Sequence, residues 1–108
     1  MHEKTTRRLH LETSLAQDPN DTFLRYAFAL QFLRDGELSE GRARLNALIV
    51  DCPDEIAAYQ QLGQSYLETR ESDQARSVLR AGIQKALALG NAHAAKEMEG
   101  LLELLGGN

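Results

Sequence analysis

The chain contains one segment twice, and the distance between the two copies is what most constrains its fold. The run Asp18-Pro19-Asn20-Asp21 returns as Asp51-Cys52-Pro53-Asp54, and we call the distance from Pro19 to Pro53 one period. A period in the range of roughly 20–50 residues indicates a stacked repeat, because one repeat cannot bury its apolar face without its neighbours. The residues that follow each proline also agree one period apart: Leu24 with Ala58, Phe28 with Leu62, Phe32 with Tyr66, Leu45 with Leu79, and Ile49 with Ile83.

Each period is predicted to be a helix, a short turn and a second helix. Apolar residues recur at steps of three and four, as one helix face requires. Asp35-Gly36 separates the two runs, and glycine is the residue that most readily ends a helix in the left-handed conformation. The two runs are Leu24, Phe28, Phe32 and Leu33, and then Leu45, Leu48 and Ile49.

This pattern resembles the tetratricopeptide repeat, a helical hairpin with a few size-constrained positions and the same period. The resemblance implies an all-α fold, an α-solenoid of two hairpins, with repeat one over residues 22–55 and repeat two over residues 56–89. The small residues Ala29 and Gly41, and one period later Gly63 and Ala75, would let the two helices of each hairpin approach closely. The matching positions are Phe28, Ala29, Phe32, Gly41, Leu45 and Pro53 in repeat one, and Tyr59, Leu62, Gly63, Tyr66, Ala75 and Leu79 in repeat two.

Three positions depart from the pattern of that family. Arg25 stands where the first aromatic residue is expected, which predicts weaker packing in repeat one. Arg70 stands where the turn glycine is usual, and no proline closes repeat two. The last two departures predict a different turn and a longer last hairpin helix.

A single domain over residues 1–108 is expected, with an additional helix at each end. The helix over residues 5–17 places Leu11 one period before Leu45 and would cover the open face of repeat one. The basic residues near its start, Lys4, Arg7 and Arg8, are predicted to be a solvated face, with contact to an anionic group as the alternative. A solvated face is also predicted for Arg42, Arg44 and Asn46 on the second helix of repeat one. The helix over residues 91–105 would cover the other end with Ala95, Met98, Leu101, Leu102 and Leu105.

The first helix of repeat one carries more apolar residues than one helix face can hold. The resemblance implies that its other side lines a concave groove in which ligand peptides lie. Two interpretations stay open: the N-terminal helix covers these residues, or they form an exposed binding surface. The predicted binding residues are Phe23, Tyr26, Leu30, Leu33 and Arg34 from repeat one, with Gln60, Gln64 and Glu68 from repeat two.

Composition and residue inventory argue against several function classes. The net charge of −4 is spread evenly, which leaves no basic region to neutralise nucleic-acid phosphates. No apolar run is long enough to span a membrane. His2, His10 and His93 form no ligand-spaced cluster, and the glycines match no phosphate-binding loop, so we expect no catalytic residue, no metal and no cofactor. The lone Cys52 and the absence of a signal peptide predict a cytoplasmic location.

The predicted function is therefore protein–protein interaction: a scaffold that binds a peptide segment of another protein in the concave groove. The apolar residues would anchor the ligand, and the polar residues would orient it. The alternative is self-association into a homodimer, or assembly, through the leucines of the C-terminal helix: Leu101, Leu102, Leu104 and Leu105.

Overall fold

The computed structural model describes residues 6–106, and within them every regular element is an α-helix. This confirms the all-α prediction. Thr5, the first residue of the predicted N-terminal helix, lies outside the described residues, and the C-terminal helix ends shortly before the predicted boundary. The helices are α1 (Thr6–Gln17), α2 (Thr22–Arg34), α3 (Leu38–Asp51), α4 (Ile56–Glu68), α5 (Ser72–Ala88) and α6 (Ala92–Glu103).

The helices pack in the order of a stacked array. Helix α2 pairs with α3, and α4 pairs with α5, as two helical hairpins joined by short turns. Helix α1 packs on α2, and α3 packs on α4, so each hairpin covers the next. Helices α2, α4 and α6 lie side by side along the array. The apolar cores of neighbouring units are continuous, because Ile49 and Val78 pack against both buried clusters.

Small residues set the close approach of the two helices in each hairpin, as the sequence predicts. A Cβ atom on Gly41 would lie 2.5 Å from Cδ2 of Leu33, and a Cβ atom on Gly63 would lie 2.5 Å from Cδ2 of Leu79. Ala29 and Ala75 are fully buried at the matching positions. Larger side chains at these sites would therefore force the helices apart.

The turn after α4 has the same conformation as the turn after α2, so the predicted difference between them is wrong. Gly36 and Arg70 both have positive φ, of 82° and 61°. In both turns this residue donates its N–H to the carbonyl three positions earlier, and the next residue donates to the carbonyl five positions earlier. The hydrogen bonds of the turn hold Arg70 in a conformation that usually favours glycine.

Helix α6 stands where the first helix of a third repeat would stand. Helix α4 begins one period after α2, and α6 begins slightly more than one period after α4, with an offset of two positions. Helix α6 begins later because α5 is longer than α3, with 17 residues against 14. The sequence predicted that the last hairpin helix is longer, and the structure agrees. Gly106, at a φ of 90°, ends α6 where Gly36 and Arg70 end α2 and α4.

Polar residues cover the outer faces of α1 and α6. When the offset is included, Glu99 and Glu103 stand where α4 has Gly63 and Leu67. One period before Gly41 of α3 stands Arg7, and it is exposed. Charged side chains thus stand at both ends in place of the small and apolar residues of the hairpin contact.

Candidate functional site

The side of the array formed by α2, α4 and α6, which we call the groove, contains two recesses. The first, of about 260 Å³, lies between the C-terminal halves of α2 and α4 and is lined by Leu30, Leu33, Arg34, Gln61, Gln64, Ser65 and Glu68. The second, of about 420 Å³, lies between the N-terminal parts of α4 and α6. Helix α4 lines both recesses, and no residue belongs to both.

Helix α1 does not cover the predicted apolar residues of α2. Phe23 is 73% exposed, and Leu30 is half-buried at the wall of the first recess. Tyr26 and Leu33 are also half-buried, but both pack against the hydrophobic core. Tyr26 and Leu33 therefore contribute to the fold as well as to the surface, whereas Phe23 contributes almost only to the surface.

Tyr26 connects the two hairpins inside the groove. Burial raises the pKa of its phenol, and a hydrogen bond with the side chain of Gln61 opposes this rise. Gln61 stands one turn before Gln64 on α4 and lines the first recess. The ring of Tyr26 thus remains partly accessible, and it packs against a core cluster that contains residues of both α2 and α4.

The predicted polar residues are divided between the two recesses. Arg34, Gln64 and Glu68 are exposed and line the first recess, beside Leu30 and Leu33. Gln60 is half-buried and lines the second recess. The structure therefore brings five of the eight predicted residues together in one recess and places Gln60 about one helical turn away along α4.

Helix α6 supplies groove residues that are not among those predicted from the sequence. His93 and Glu97 line the second recess together with Gln60, and their side chains lie 3.6 Å apart. Helical spacing puts Gly100 and Leu104 on the same face, and Leu104 is 74% exposed. The sequence does contain a signal for this helix, because α6 begins where the first helix of a third repeat would begin. A search at a fixed period does not find it, since the start is displaced by two positions.

Arg8 is buried, so its assignment to a solvated face is wrong. Only 7% of the residue is exposed, its guanidinium carbon lies 4.2 Å from the centre of the Phe32 ring, and it donates hydrogen bonds to Asp35 and Glu37. The bond to Glu37 is the main reason that the pKa of Arg8 is raised. Arg7 is exposed as predicted, and Lys4 lies outside the described residues.

Arg42 repeats this arrangement one period later, which also corrects its assignment to the convex face. Its guanidinium carbon lies 4.5 Å from the centre of the Tyr66 ring. It donates to the hydroxyl and carbonyl oxygens of Ser65 at 2.9 and 2.8 Å, to Thr69 at 2.7 Å and to Glu71 at 2.9 Å.

Arg76 stands one further period along the chain, and we call Arg8, Arg42 and Arg76 the arginine series. A guanidinium nitrogen of Arg76 donates to the carbonyl of Leu105 at 3.3 Å. Leu105 follows the end of α6, so Arg76 connects α5 to the turn after α6. The series therefore places one arginine at each junction between neighbouring units.

Arg44 lies close to apolar groups of the first hairpin as well. Its guanidinium carbon is 4.6 Å from the centre of the Phe28 ring and 4.9 Å from that of Phe32. Its Nε donates to Glu40 at 2.8 Å. The side chain of Arg44 is still partly exposed, so it is solvated in part, as predicted. Asn46 is exposed, as predicted.

The histidines and acidic residues show no metal-binding arrangement between residues 6 and 106, since no group of three or more His, Cys, Asp or Glu side chains is placed to hold an ion. His10 and His93 lie on α1 and α6 at opposite ends of the array, and His2 lies outside the described residues. In the same part of the chain, no helix is long and apolar enough to cross a membrane.

The leucines of the C-terminal helix mostly face inward. Leu101 and Leu102 pack against the core, and Leu105 is half-buried. Leu104 is exposed, as are Leu87 and Leu89 near the turn before α6. The length of α6, about 18 Å, separates Leu104 from the first residue of that helix. The exposed leucines thus lie at opposite ends of α6 and do not form one patch.

Solved structures with this arrangement of helices include two of one tetratricopeptide repeat domain protein from Salinibacter ruber. A solution structure is 28% identical over 82% of this chain and 90% of the other, with a TM-score of 0.77. A crystal structure is 28% identical over 81% of this chain and 98% of the other, with a TM-score of 0.73. This chain has the fold of a small tetratricopeptide repeat protein.

A protein from Bordetella parapertussis has the same fold, with a TM-score of 0.83 at 22% identity over 94% of this chain and 89% of the other. No protein-family model matches the chain, and no curated protein does. The tetratricopeptide repeat fold indicates a protein-interaction module in general terms, and protein partners with it.

Proposed function

We propose that this tetratricopeptide repeat protein is a non-catalytic scaffold that binds a peptide segment of a partner protein in the groove formed by α2, α4 and α6. The observation that carries the proposal is the exposure of Phe23, which is 73% accessible. Helical spacing puts it on the same face of α2 as Leu30, beside the first recess and not within its lining. A phenylalanine this exposed loses favourable apolar contact unless a partner covers it.

The chemistry of the groove fits an extended peptide with one apolar anchor. Phe23 and Leu30 would contact the anchor, because they lie on one face of α2 and neither is fully buried. Gln64 and Gln60 follow on α4, and an amide can both donate to and accept from a peptide backbone. Arg34 and Glu68 carry opposite charges at the end of the first recess, where they would favour a ligand with paired charges of its own.

A display library of short random peptides would supply a ligand, and isothermal titration calorimetry would measure its affinity for the protein and two variants. Phe23→Ala is expected to weaken binding by about 1–3 kcal/mol, which is the range of an aromatic anchor. Val50→Ala is the matched control, since Val50 is 78% exposed but lies on α3, outside the groove. Equal affinities of the two variants would contradict the proposal.

Self-association through the C-terminal leucines stays a second prediction, which sedimentation equilibrium over a concentration series would test. A concentration-dependent dimer that Leu104→Ser abolishes would support it. A monomer at all concentrations would leave the groove free for another protein.

We also propose a cytoplasmic location for this protein. Cys52 is a half-buried free thiol whose sulfur lies 3.6 Å from the hydroxyl of Thr22. A reducing compartment keeps such a thiol in this state. Fractionation of cells that express the full chain, followed by detection in the soluble and membrane fractions, would test the location, and recovery outside the cytoplasm would contradict it.

A further inference from the structure

A cavity of about 430 Å³ lies among α1, α2 and α3, away from the groove. Its walls include Leu15 and Ala16 of α1, Phe28 of α2 and Ala47 of α3, with Pro19 at one end. The cavity is open to solvent, since Ala16, Pro19 and Ala47 are exposed, and its volume lies within the roughly 300–1,000 Å³ of ligand pockets in proteins. The space is therefore sufficient for an aromatic ring.

The same site in repeat two is filled by a residue of this chain. One period after the cavity residues Leu15, Pro19, Arg25 and Phe28 stand Ile49, Pro53, Tyr59 and Leu62. Tyr59 is buried, and its hydroxyl donates a hydrogen bond of 2.9 Å to the carbonyl of Pro53. The cavity in repeat one thus stands at the sequence position of the Tyr59 site, with Pro19 as the counterpart of Pro53. Gly82, which leaves room for the Cβ of Tyr59, has the buried Leu48 as its counterpart.

The side chain of Arg25 does not fill the cavity, because it forms an ion pair with Asp51. It stands at the position of Tyr59, but its Nη2 lies 2.8 Å from Oδ2 of Asp51. On the other side of the cavity, the guanidinium of Arg44 lies over the Phe28 ring. Two guanidinium groups at the rim can lie over the face of an incoming aromatic ring, an attraction that does not require a charged ligand.

We infer that this cavity accepts a tyrosine side chain of a partner protein, which would take the place that Tyr59 fills in repeat two. The ring would pack between Leu15, Phe28 and Ala47. Its hydroxyl would donate to the carbonyl of Pro19. The site lies apart from the groove formed by α2, α4 and α6, so the inference does not rest on peptide binding there.

The probe is N-acetyl-tyrosinamide, titrated while the methyl NMR signals of Leu15 and Ala47 are observed. We expect saturable shifts at these methyls, with a dissociation constant on the order of 1 mM for a ligand of this size. N-acetyl-phenylalaninamide, which lacks the hydroxyl, is expected to bind about fivefold more weakly, the usual contribution of one neutral hydrogen bond. A free phenol, p-cresol, is the third probe and should bind at the same methyls.

Each other result would overturn the inference. The absence of a saturable shift with the tyrosine probe would show that the cavity does not bind an aromatic ring. Equal affinity of the phenylalanine probe would show that the hydroxyl makes no hydrogen bond with Pro19. Binding of p-cresol without binding of N-acetyl-tyrosinamide would indicate a small-molecule phenol in place of a partner's side chain.

The variant Arg25→Tyr tests the same inference from inside the chain. The new side chain should fill the cavity, abolish binding of the tyrosine probe and raise the thermal unfolding midpoint by about 4–8 °C. Gln74→Tyr, on the exposed face of α5, is the control and should change neither quantity. If Arg25→Tyr fails to fold, Ala47→Phe fills the cavity from α3, and retained binding in either folded variant would contradict the inference.

Discussion

Arg8 and Arg42 stand one period apart and make the same contacts with successive repeats. Each guanidinium lies over an aromatic ring, Phe32 or Tyr66. Each also binds the glutamate that follows the turn, Glu37 or Glu71. The arginine comes from the second helix of one unit, and the ring and the glutamate come from the next. These two members of the arginine series therefore connect neighbouring units of the array.

Loss of this connection should destabilise the fold. Arg42→Ala removes four hydrogen bonds and is expected to lower the free energy of unfolding by about 2–3 kcal/mol. Arg42→Lys should lose most of the same amount, because an ammonium cannot reach Ser65, Thr69 and Glu71 together as the guanidinium fork does. Urea denaturation measures both, with the exposed Arg7→Ala as control. A loss for Arg42→Ala no larger than that for Arg7→Ala would contradict the role of Arg42.

The stability of the fold should fall in acid, in part through Glu71. A hydrogen bond from Thr69, at 2.5 Å, and then the charge of Arg42 hold the pKa of Glu71 below its ordinary value of 4.5. Because the folded pKa is lowered, the contribution of Glu71 is present above about pH 4.5 and is lost as the pH falls through the folded value. Glu71→Gln should therefore be less stable than the wild type near neutral pH, and its stability should fall less steeply in acid.

Urea unfolding from about pH 7 to about pH 3 would measure this difference. Glu99→Gln is the control, since Glu99 is an exposed glutamate on α6. An acid profile of Glu71→Gln that is parallel to that of the wild type would show that Glu71 does not contribute to the acid sensitivity.

Two glycines should respond in opposite ways to the same substitution. A Cβ atom on Gly82 would lie 2.7 Å from Cβ of Tyr59, which cannot move away easily, so Gly82→Ala should destabilise by about 1–3 kcal/mol. A Cβ atom on Gly100 would meet nothing within 4 Å, so Gly100→Ala should stabilise by about 0.5–1 kcal/mol through its helix propensity. Thermal unfolding of the two variants measures both signs, and a neutral Gly82→Ala would contradict the close contact of α5 with α4.

The small residue of the second hairpin provides a further test of close packing. Ala75 is fully buried on α5, at the position where Gly41 faces Leu33 in the first hairpin. Ala75→Leu adds three carbon atoms to a filled space and should lower the free energy of unfolding by roughly 1–3 kcal/mol. The exposed Ala81→Leu on the same helix is the control. Equal stability of the two variants would mean that the contact between α4 and α5 is looser than the structure shows.

The hairpins could be predicted from the sequence because local and long-range patterns agree. The helical spacing of Leu24, Phe28 and Phe32 and the return of their counterparts one period later both require stacked hairpins. The turn at Arg70 could not be predicted from residue type, since its conformation depends on hydrogen bonds that Leu67 and Tyr66 accept. A positive φ at a non-glycine residue is uncommon, and residue preferences alone argue against it.

The candidate site was predictable only in part. The face of α2 that carries Phe23 and Leu30 followed from an excess of apolar residues over one helix face. The burial of Arg8 did not follow, because a charged residue near a helix start is usually solvated and its partners Asp35 and Glu37 stand 27 and 29 residues away. The return of arginine at each period is a signal that a search over charged as well as apolar residues could have found.

The measurement that tests the groove most directly is amide NMR shift mapping with a peptide selected from the random library. We expect the largest shifts at Phe23, Leu30, Gln64 and Gly100, which lie on α2, α4 and α6. The amides of Val50 and Ser77, on α3 and α5, are expected to stay unchanged. Shifts concentrated on α3 and α5, with α2 and α4 unaffected, would contradict peptide binding in the groove.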